Sequence, residues 1–160
     1  MNNAETLQFT TPTDRETMIT RVFDAPSRLV FDAWTNPQHV PHWMLGPEGW
    51  TMPVCEIDLR PGGTWHFVWR HSDGKDMEMR GTYREVIPPE RLVSTESWGG
   101  DWPETVNTLV LTEEKGKTTA TLTILYPSME ARDKALKSGM KEGMSLTFVR
   151  LDQHLASMAG

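Results

Sequence analysis

The chain has 160 residues, of which 38% are hydrophobic and 24% are charged, and its formal net charge is −6. This length and apolar content suit one globular domain that buries its own core. The acidic balance and the lack of a Lys/Arg cluster argue against nucleic-acid binding. The single Cys55 excludes an intramolecular disulfide. No apolar run approaches the roughly 20 residues that a membrane helix needs.

The chain starts with a polar segment and then a strand. Residues 1–16 have no sustained hydrophobic period and no basic-then-apolar signal segment, so we expect a flexible arm on a cytoplasmic protein. The domain is predicted to span residues 17–160. It opens with TMITRVF (17–23), whose alternation and β-branched residues predict a strand.

Two short helices are predicted to follow the first strand. Asp24 is a candidate cap, Pro26 lies near the first turn, and apolar residues then recur at helical spacing until Asn36-Pro37 interrupts them. The segment PQHVPHWM (37–44) predicts the second helix, which the interior Pro41 limits in length.

From residue 51 onward the pattern is that of strands separated by short turns that contain glycine or proline. The predicted strands are 51–59, 64–71, 76–87, 91–98, 104–113 and 117–126. Together with strand 17–23 they predict an α+β fold with a seven-stranded antiparallel sheet.

Helical spacing returns after Pro127. Ser128 is a candidate cap for a short helix over 129–137, and Gly139 separates this helix from a long one. The apolar residues of the long helix step by three or four positions, at Met140, Met144, Phe148, Leu151, Leu155 and Met158. We expect this C-terminal helix to cover one face of the sheet.

Strand parity predicts that aromatic and methionine side chains line the inner face of the sheet. The predicted wall consists of Trp65, Phe67, Trp69, Met77, Met79, Tyr83, Trp98, Leu122, Met140, Met144 and Phe148. Such a wall is either a plain packed core or the lining of a cavity, and the adaptable methionines suit a pocket for varied apolar ligands.

Two polar residues are weak candidates for catalysis. The same parity turns Glu96 inward, where desolvation would raise its pKa toward neutrality, unless this strand end twists outward and leaves the carboxylate in water. His42 lies three residues after His39, a spacing that suits two metal ligands, but no clear third ligand follows. No cofactor or nucleophile motif is present, so we predict no cofactor and no metal.

Four segments together resemble a known family: RVFDAPSRLVFDAWTNPQHVPHW, CEIDLRPGGTW, GTYREVIPPERLV and GMKEGMSLTFVRLDQHL. They are similar to bacterial single-domain relatives of the activators of the heat-shock protein 90 ATPase, within the START-like (SRPBCC) superfamily that includes polyketide cyclases. The resemblance covers about residues 17–157. It implies a helix-grip fold, in which a curved sheet wraps around the C-terminal helix and leaves a cavity between them. The family usually has Gly-Trp where this chain has Gly143-Met144, which implies a more flexible cavity wall.

Three functions stay open from the sequence. The first is binding of a hydrophobic or aromatic small molecule in the implied cavity. The second is a cofactor-independent cyclase or hydrolase-like reaction that uses Glu96 or His42. The third is a co-chaperone-like, partner-binding role. Chaperone activators carry an additional N-terminal domain, whereas about 16 residues precede the domain here, which argues against direct chaperone activation. A homodimer is plausible, with Trp50 or Trp102 as a hint.

Overall fold

The computed structural model describes residues 7–45, 48–97 and 103–159. In chain order the elements are β1 (Gln8–Thr10), β2 (Glu16–Phe23), α1 (Ser27–Thr35), α2 (Val40–Trp43), β3 (Trp50–Ile57), β4 (Thr64–His71), β5 (Asp76–Ile87), β6 (Arg91–Glu96), β7 (Thr105–Glu114), β8 (Lys117–Leu125), α3 (Met129–Leu136) and α4 (Met140–Ala159). The strands form one antiparallel sheet in the order β1-β2-β8-β7-β6-β5-β4-β3. The predicted α+β fold is confirmed.

The sheet has eight described strands rather than the predicted seven. The additional strand, β1, lies within the predicted arm and pairs with β2, with Phe9 opposite Ile19. Its three residues are too short for an alternating pattern to be recognised in the sequence. Residues 1–6 of the predicted arm lie outside the described part of the chain.

Two helix starts differ from the prediction. The second helix covers Val40–Trp43 rather than 37–44, and a turn in which the backbone N–H of His39 donates to Asn36 O at 2.9 Å precedes it. The first helix begins at Ser27, and Asp24 does not cap it. The N-cap position is Pro26, and the carboxylate of Glu113 on β7 accepts from the Ser27 backbone N–H at 2.7 Å.

From Phe148 onward, α4 is packed into the core. Phe148, Leu151 and Leu155 are at most 4% exposed. The Phe148 ring contacts Phe23 of β2 edge-to-face at 5.8 Å and Trp34 of α1 at 5.6 Å. Aromatic side chains from the sheet and from α1 therefore hold the middle of the helix. None of the helices in the described parts of the chain is long and apolar enough to cross a membrane.

A buried charge also fixes α4 to β2. Arg21 points inward from β2 and is 3% exposed, and its Nη2 lies 3.3 Å from Oδ2 of Asp152 on α4. The guanidinium carbon lies 5.2 Å from the centre of the Phe23 ring, within cation–π range. A charge this deep needs its partners, so the pair defines where α4 crosses the sheet.

Candidate functional site

The aromatic side of the predicted wall is present on β4. The rings of Trp65 and Phe67 lie 4.8 Å apart, and Phe67 meets Trp69 edge-to-face at 5.9 Å. Trp69 Nε1 donates to the Met44 carbonyl oxygen at 2.7 Å, which ties β4 to the segment after α2. Each of the three side chains is 5% exposed.

Trp65 lies against the backbone of β5 at Gly81. The strand register pairs the two residues, and a Cβ at Gly81 would lie 2.6 Å from two ring carbons of Trp65. Contacts this short do not occur between real side chains, so glycine is required for the indole to lie there.

Glu96 is half-buried and faces the inner side of the sheet. It lies in the same row as Gly81. It is opposite Thr105 in the register, and its Oε2 accepts from Asn107 Nδ2 at 2.6 Å. Asn107 Oδ1 in turn accepts from Thr105 Oγ1 at 3.0 Å. Of the two orientations left open by the sequence, the structure has the inward one. We call Glu96, Asn107, Thr105 and Tyr126 the polar row.

Tyr126 connects the polar row to α4. Its hydroxyl donates to the sulfur of Met140 at 3.5 Å. Burial raises the pKa of the Tyr126 phenol, the neighbouring Thr17 hydroxyl lowers it, and the Glu96 carboxylate raises it. Tyr126 thus lies close enough to Glu96 for the carboxylate to disfavour ionisation of the phenol.

The segment of α4 before Phe148 is less buried than the rest of the helix. Met140 and Met144 are half-buried. Leu146 and Gly143 face solvent: Leu146 is 43% exposed, and a Cβ added to Gly143 would meet no atom within 4 Å. The polar row contacts this segment through Tyr126 and Met140.

The other predicted wall residues have mixed positions. Met79 and Tyr83 are buried, and Leu122 is half-buried. Met77 lies opposite Trp69 in the register, as parity predicts, but it is 42% exposed because it sits near the hairpin end of β5. Trp98 lies outside the described residues, as does Trp102.

Two ionisable groups on the inner face are strongly affected by burial. Cys55 lies opposite Phe67 in the register, and burial raises the pKa of its thiol to about 11. Burial also raises the pKa of Tyr83, and the charge of Cys55 adds to this effect. Neither group is ionised at neutral pH, so the aromatic side of the inner face is uncharged.

These shifts predict that the protein loses stability in alkali. Cys55, Tyr83 and Tyr126 are neutral when protonated, and their folded pKa values exceed the unfolded ones. Their contribution is fully present below the unfolded pKa values of about 8.5 to 10 and is lost as the pH rises toward the folded values. We expect the free energy of unfolding in urea to fall from pH 9 to pH 11. The Cys55→Ala variant should show a shallower fall, and a constant or rising stability would contradict the prediction.

A cleft lies at the C-terminal half of α4. This cleft has a volume of about 550 Å³ and is lined by His42, Leu45, Glu48, Gly49, Trp50, Arg150, Gln153 and His154. It is open to solvent and separate from the space predicted beneath the helix. The predicted rim residue His42 lies in it, and Trp50 is half-buried against His71 with ring centres 4.9 Å apart.

Three histidines meet beside the cleft. His39 Nδ1 lies 3.0 Å from His154 Nε2, and His39 Nε2 lies 3.2 Å from Asp32 Oδ2. The rings of His42 and His154 are stacked 5.1 Å apart with an interplanar angle of 6°. Burial lowers the pKa of His154, and the charges of His39 and His42 lower it further. Sequence reasoning found His39 and His42 but missed His154, since 115 positions separate it from His39.

The histidine geometry does not form a metal centre. In the described ranges of the chain, no group of three or more His, Cys, Asp or Glu side chains is arranged to hold a metal ion. A metal lies in the plane of an imidazole that binds it, and the parallel rings of His42 and His154 have no such common position. The contact between His39 and His154 is a hydrogen bond within the protein.

Comparison with known proteins identifies the family. A family model described as Activator of Hsp90 ATPase homolog 1-like protein matches residues 24–156. A crystal structure of a protein from Rhodobacter sphaeroides is 28% identical, with a TM-score of 0.88 over 95% of this chain and 99% of that one. A crystal structure of a Mycobacterium smegmatis protein is 25% identical, with a TM-score of 0.81 over 92% of this chain and 96% of that one.

A more distant solution structure carries the family's name. It is an AHSA1-like protein from Aeromonas hydrophila, 17% identical, with a TM-score of 0.69 over 89% of this chain and 94% of that one, and it shows the fold alone. No curated protein matched the chain. The family model covers most of the residues, including helices α1 to α3, most of α4, and strands β3 to β8. The resemblance seen in the sequence is confirmed: the chain belongs to the family of Activator of Hsp90 ATPase homolog 1-like proteins.

Proposed function

We propose that this protein binds an apolar or aromatic small molecule between the inner face of the sheet and the N-terminal half of α4. One observation carries the proposal. Glu96, a half-buried carboxylate that accepts from Asn107, shares the inner face of the sheet with Trp65, and Tyr126 of the same polar row contacts Met140 of α4. Carboxylates are rare in closed cores because their desolvation is costly, whereas ligand pockets combine an apolar lining with a few polar groups.

The lining indicates which ligand chemistry fits. Trp65, Phe67 and Trp69 offer an aromatic surface of tilted and edge-to-face rings, and Met140 and Met144 add flexible, half-buried thioethers. Glu96 accepts hydrogen bonds, and its negative charge disfavours anions nearby. An aromatic molecule with one N–H or O–H donor matches these groups, so an aromatic amine or a phenol is the expected class.

A pair of tryptophan variants tests where the ligand binds. The probe is N-phenyl-1-naphthylamine, a fluorescent aromatic amine whose emission shifts to the blue in apolar surroundings. Met144→Trp should fill the space above the polar row and weaken probe binding by about tenfold or more, which corresponds to about 1.4 kcal/mol. Leu146→Trp places the same side chain on the exposed side of α4, where Leu146 is 43% exposed, and should leave the affinity unchanged.

Stability measurements on the same two variants give an independent readout. A tryptophan forced into a filled core costs typically 1 to 3 kcal/mol, whereas a tryptophan that enters open space costs little. We expect Met144→Trp to unfold at the same urea concentration as the wild type. Undiminished probe binding by Met144→Trp, or a loss that is equal in Leu146→Trp, would contradict the proposed location.

A further inference from the structure

We propose that the cleft at the C-terminal half of α4 is a separate proton-transfer site, in which His154 is the general base for a small carboxylate-bearing carbon acid such as an aromatic 2-oxo acid. This inference does not depend on ligand binding beneath the helix. Met144 and His154 are ten positions apart on α4, which separates the two regions by about 15 Å along the helix axis.

The contacts around His39 indicate which nitrogen of His154 is basic. The Asp32 carboxylate lies 3.2 Å from His39 Nε2, and because a carboxylate only accepts, it favours the tautomer with the proton on Nε2. The Nδ1 of neutral His39 is then an acceptor, and the His154 Nε2 at 3.0 Å must donate to it. The Nδ1 of His154 is left with a free lone pair on the side of the ring away from His39. Asp32, His39 and His154 thus form a chain like that of other bases oriented by a carboxylate.

The surroundings favour the neutral form of this base. Burial lowers the pKa of His154, and a proton on His39 or His42 lowers it further. The titratable groups that face it are Asp32 on α1, His39 and His42 before and on α2, Glu48 before β3, and Arg150 on α4 itself. His154 lines the cleft, and a neutral imidazole accepts protons at physiological pH.

The rest of the lining indicates the substrate class. Arg150 lines the cleft and its positive charge favours a carboxylate there, and Trp50 and Leu45 provide apolar contact for an aryl or alkyl group. Glu48 is an acceptor for an enol hydroxyl. The volume of about 550 Å³ lies within the range of small-molecule sites.

The reaction class is keto–enol isomerisation, which needs no redox partner. A C–H bond next to the ketone breaks, its proton moves to His154 Nδ1, and its electron pair forms the C=C bond as the carbonyl oxygen becomes an enolate. The Nε2 proton of His154 passes to His39 Nδ1, and the resulting imidazolium pairs with Asp32. Water protonates the enolate oxygen. The extra proton then leaves to solvent, which returns Asp32, His39 and His154 to their starting protonation states.

The direct test is the tautomerisation of phenylpyruvate, followed by the ultraviolet absorbance of its enol. The wild type should accelerate the reaction above the buffer rate, and His154→Gln should lower kcat/KM by about 100-fold, the scale of general-base catalysis. His66→Gln is the matched control, because His66 lies on the outer face of β4 between Glu56 and Glu78. It should retain full activity.

Asp32 and His39 act as positioning residues, and their variants should change the pH profile. Asp32→Asn replaces the carboxylate that orients His39, so kcat should fall about tenfold with KM unchanged, and the acidic limb of kcat/KM should move to lower pH. A purely structural role would lower the amount of folded protein without moving that limb. An unchanged pH profile of kcat/KM in Asp32→Asn overturns the proposed proton transfer from His154 to His39.

Nitrogen NMR of the histidines tests the tautomer without any substrate. At pH 7.5, His154 in the wild type should be neutral with its proton on Nε2, and His39→Ala should abolish this preference. A His154 that is charged, or protonated on Nδ1, overturns the proposal. Full activity of His154→Gln, or no acceleration of phenylpyruvate tautomerisation by the wild type, also overturns it.

Discussion

Replacement of Gly81 by alanine is expected to destabilise the protein by about 3 kcal/mol or more, at the upper end of the range for overpacked interiors. The added Cβ would overlap the carbonyl oxygen of Thr95 and lie 2.6 Å from ring carbons of Trp65. The backbone has little room to move, because Arg80 and Ser97 exchange hydrogen bonds of 3.0 and 2.8 Å beside it. The indole of Trp65 must therefore leave the position that forms the aromatic wall.

Urea unfolding of Gly81→Ala measures this effect, and Gly143→Ala is its matched control. Gly143 lies inside α4 with no atom within 4 Å of an added Cβ. Alanine there should stabilise the protein by about 0.5 to 1 kcal/mol through its helix propensity. The same substitution thus has opposite expected signs at the two positions. A Gly81→Ala variant as stable as the wild type would show that Trp65 does not lie against β5.

Removal of the Asp152 carboxylate is expected to cost about 3 kcal/mol, because it takes a charged contact away from a buried guanidinium. Arg21 is 3% exposed and the Asp152 side chain is 29% exposed, so the Asp152→Ala variant keeps a guanidinium in the core after the loss of the contact at 3.3 Å. Because the pair joins β2 to α4, the loss should appear in global unfolding rather than in local fraying.

An exposed pair provides the comparison for Asp152→Ala. Arg70 and Asp76 are joined by a shorter contact of 2.8 Å, but both are exposed at the surface of the sheet. Asp76→Ala should therefore have a much smaller effect on the urea midpoint. The double variant Arg21→Met/Asp152→Leu should recover most of the stability, since it removes both charges together. Equal losses for Asp152→Ala and Asp76→Ala would contradict this role of the buried pair.

The parts of the fold that depend on local pattern could be predicted from the sequence. The alternation of Trp65, Phe67 and Trp69 and the three-and-four spacing of Met140, Met144 and Phe148 are local signals, and both elements are present. The start of α1 depends instead on Glu113, which is 86 positions from Ser27. Such a cap is fixed by the packing of β7 against α1, so no local pattern indicates it.

Part of the candidate site could likewise be predicted from the sequence, and part depends on tertiary packing. Parity alone turns Glu96 inward, and the hydrogen bond from Asn107 explains why that orientation is stable. Parity does not report exposure, which is why Met77 lies on the expected face and still contacts solvent. The group of His39, His42 and His154 exists only because α4 crosses beside α2, and a crossing of this kind is decided by tertiary packing.

The most direct test of ligand binding beneath α4 is NMR of methionine methyl groups labelled with carbon-13, recorded with and without N-phenyl-1-naphthylamine. The proposed location predicts that the methyl signals of Met140, Met144 and Met79 move in proportion to the bound fraction. Met77 and Met129, which are 42% and 52% exposed and lie away from the polar row, should stay in place. Movement confined to Met77 and Met129, or no movement at saturating probe, would contradict a ligand site between the sheet and α4.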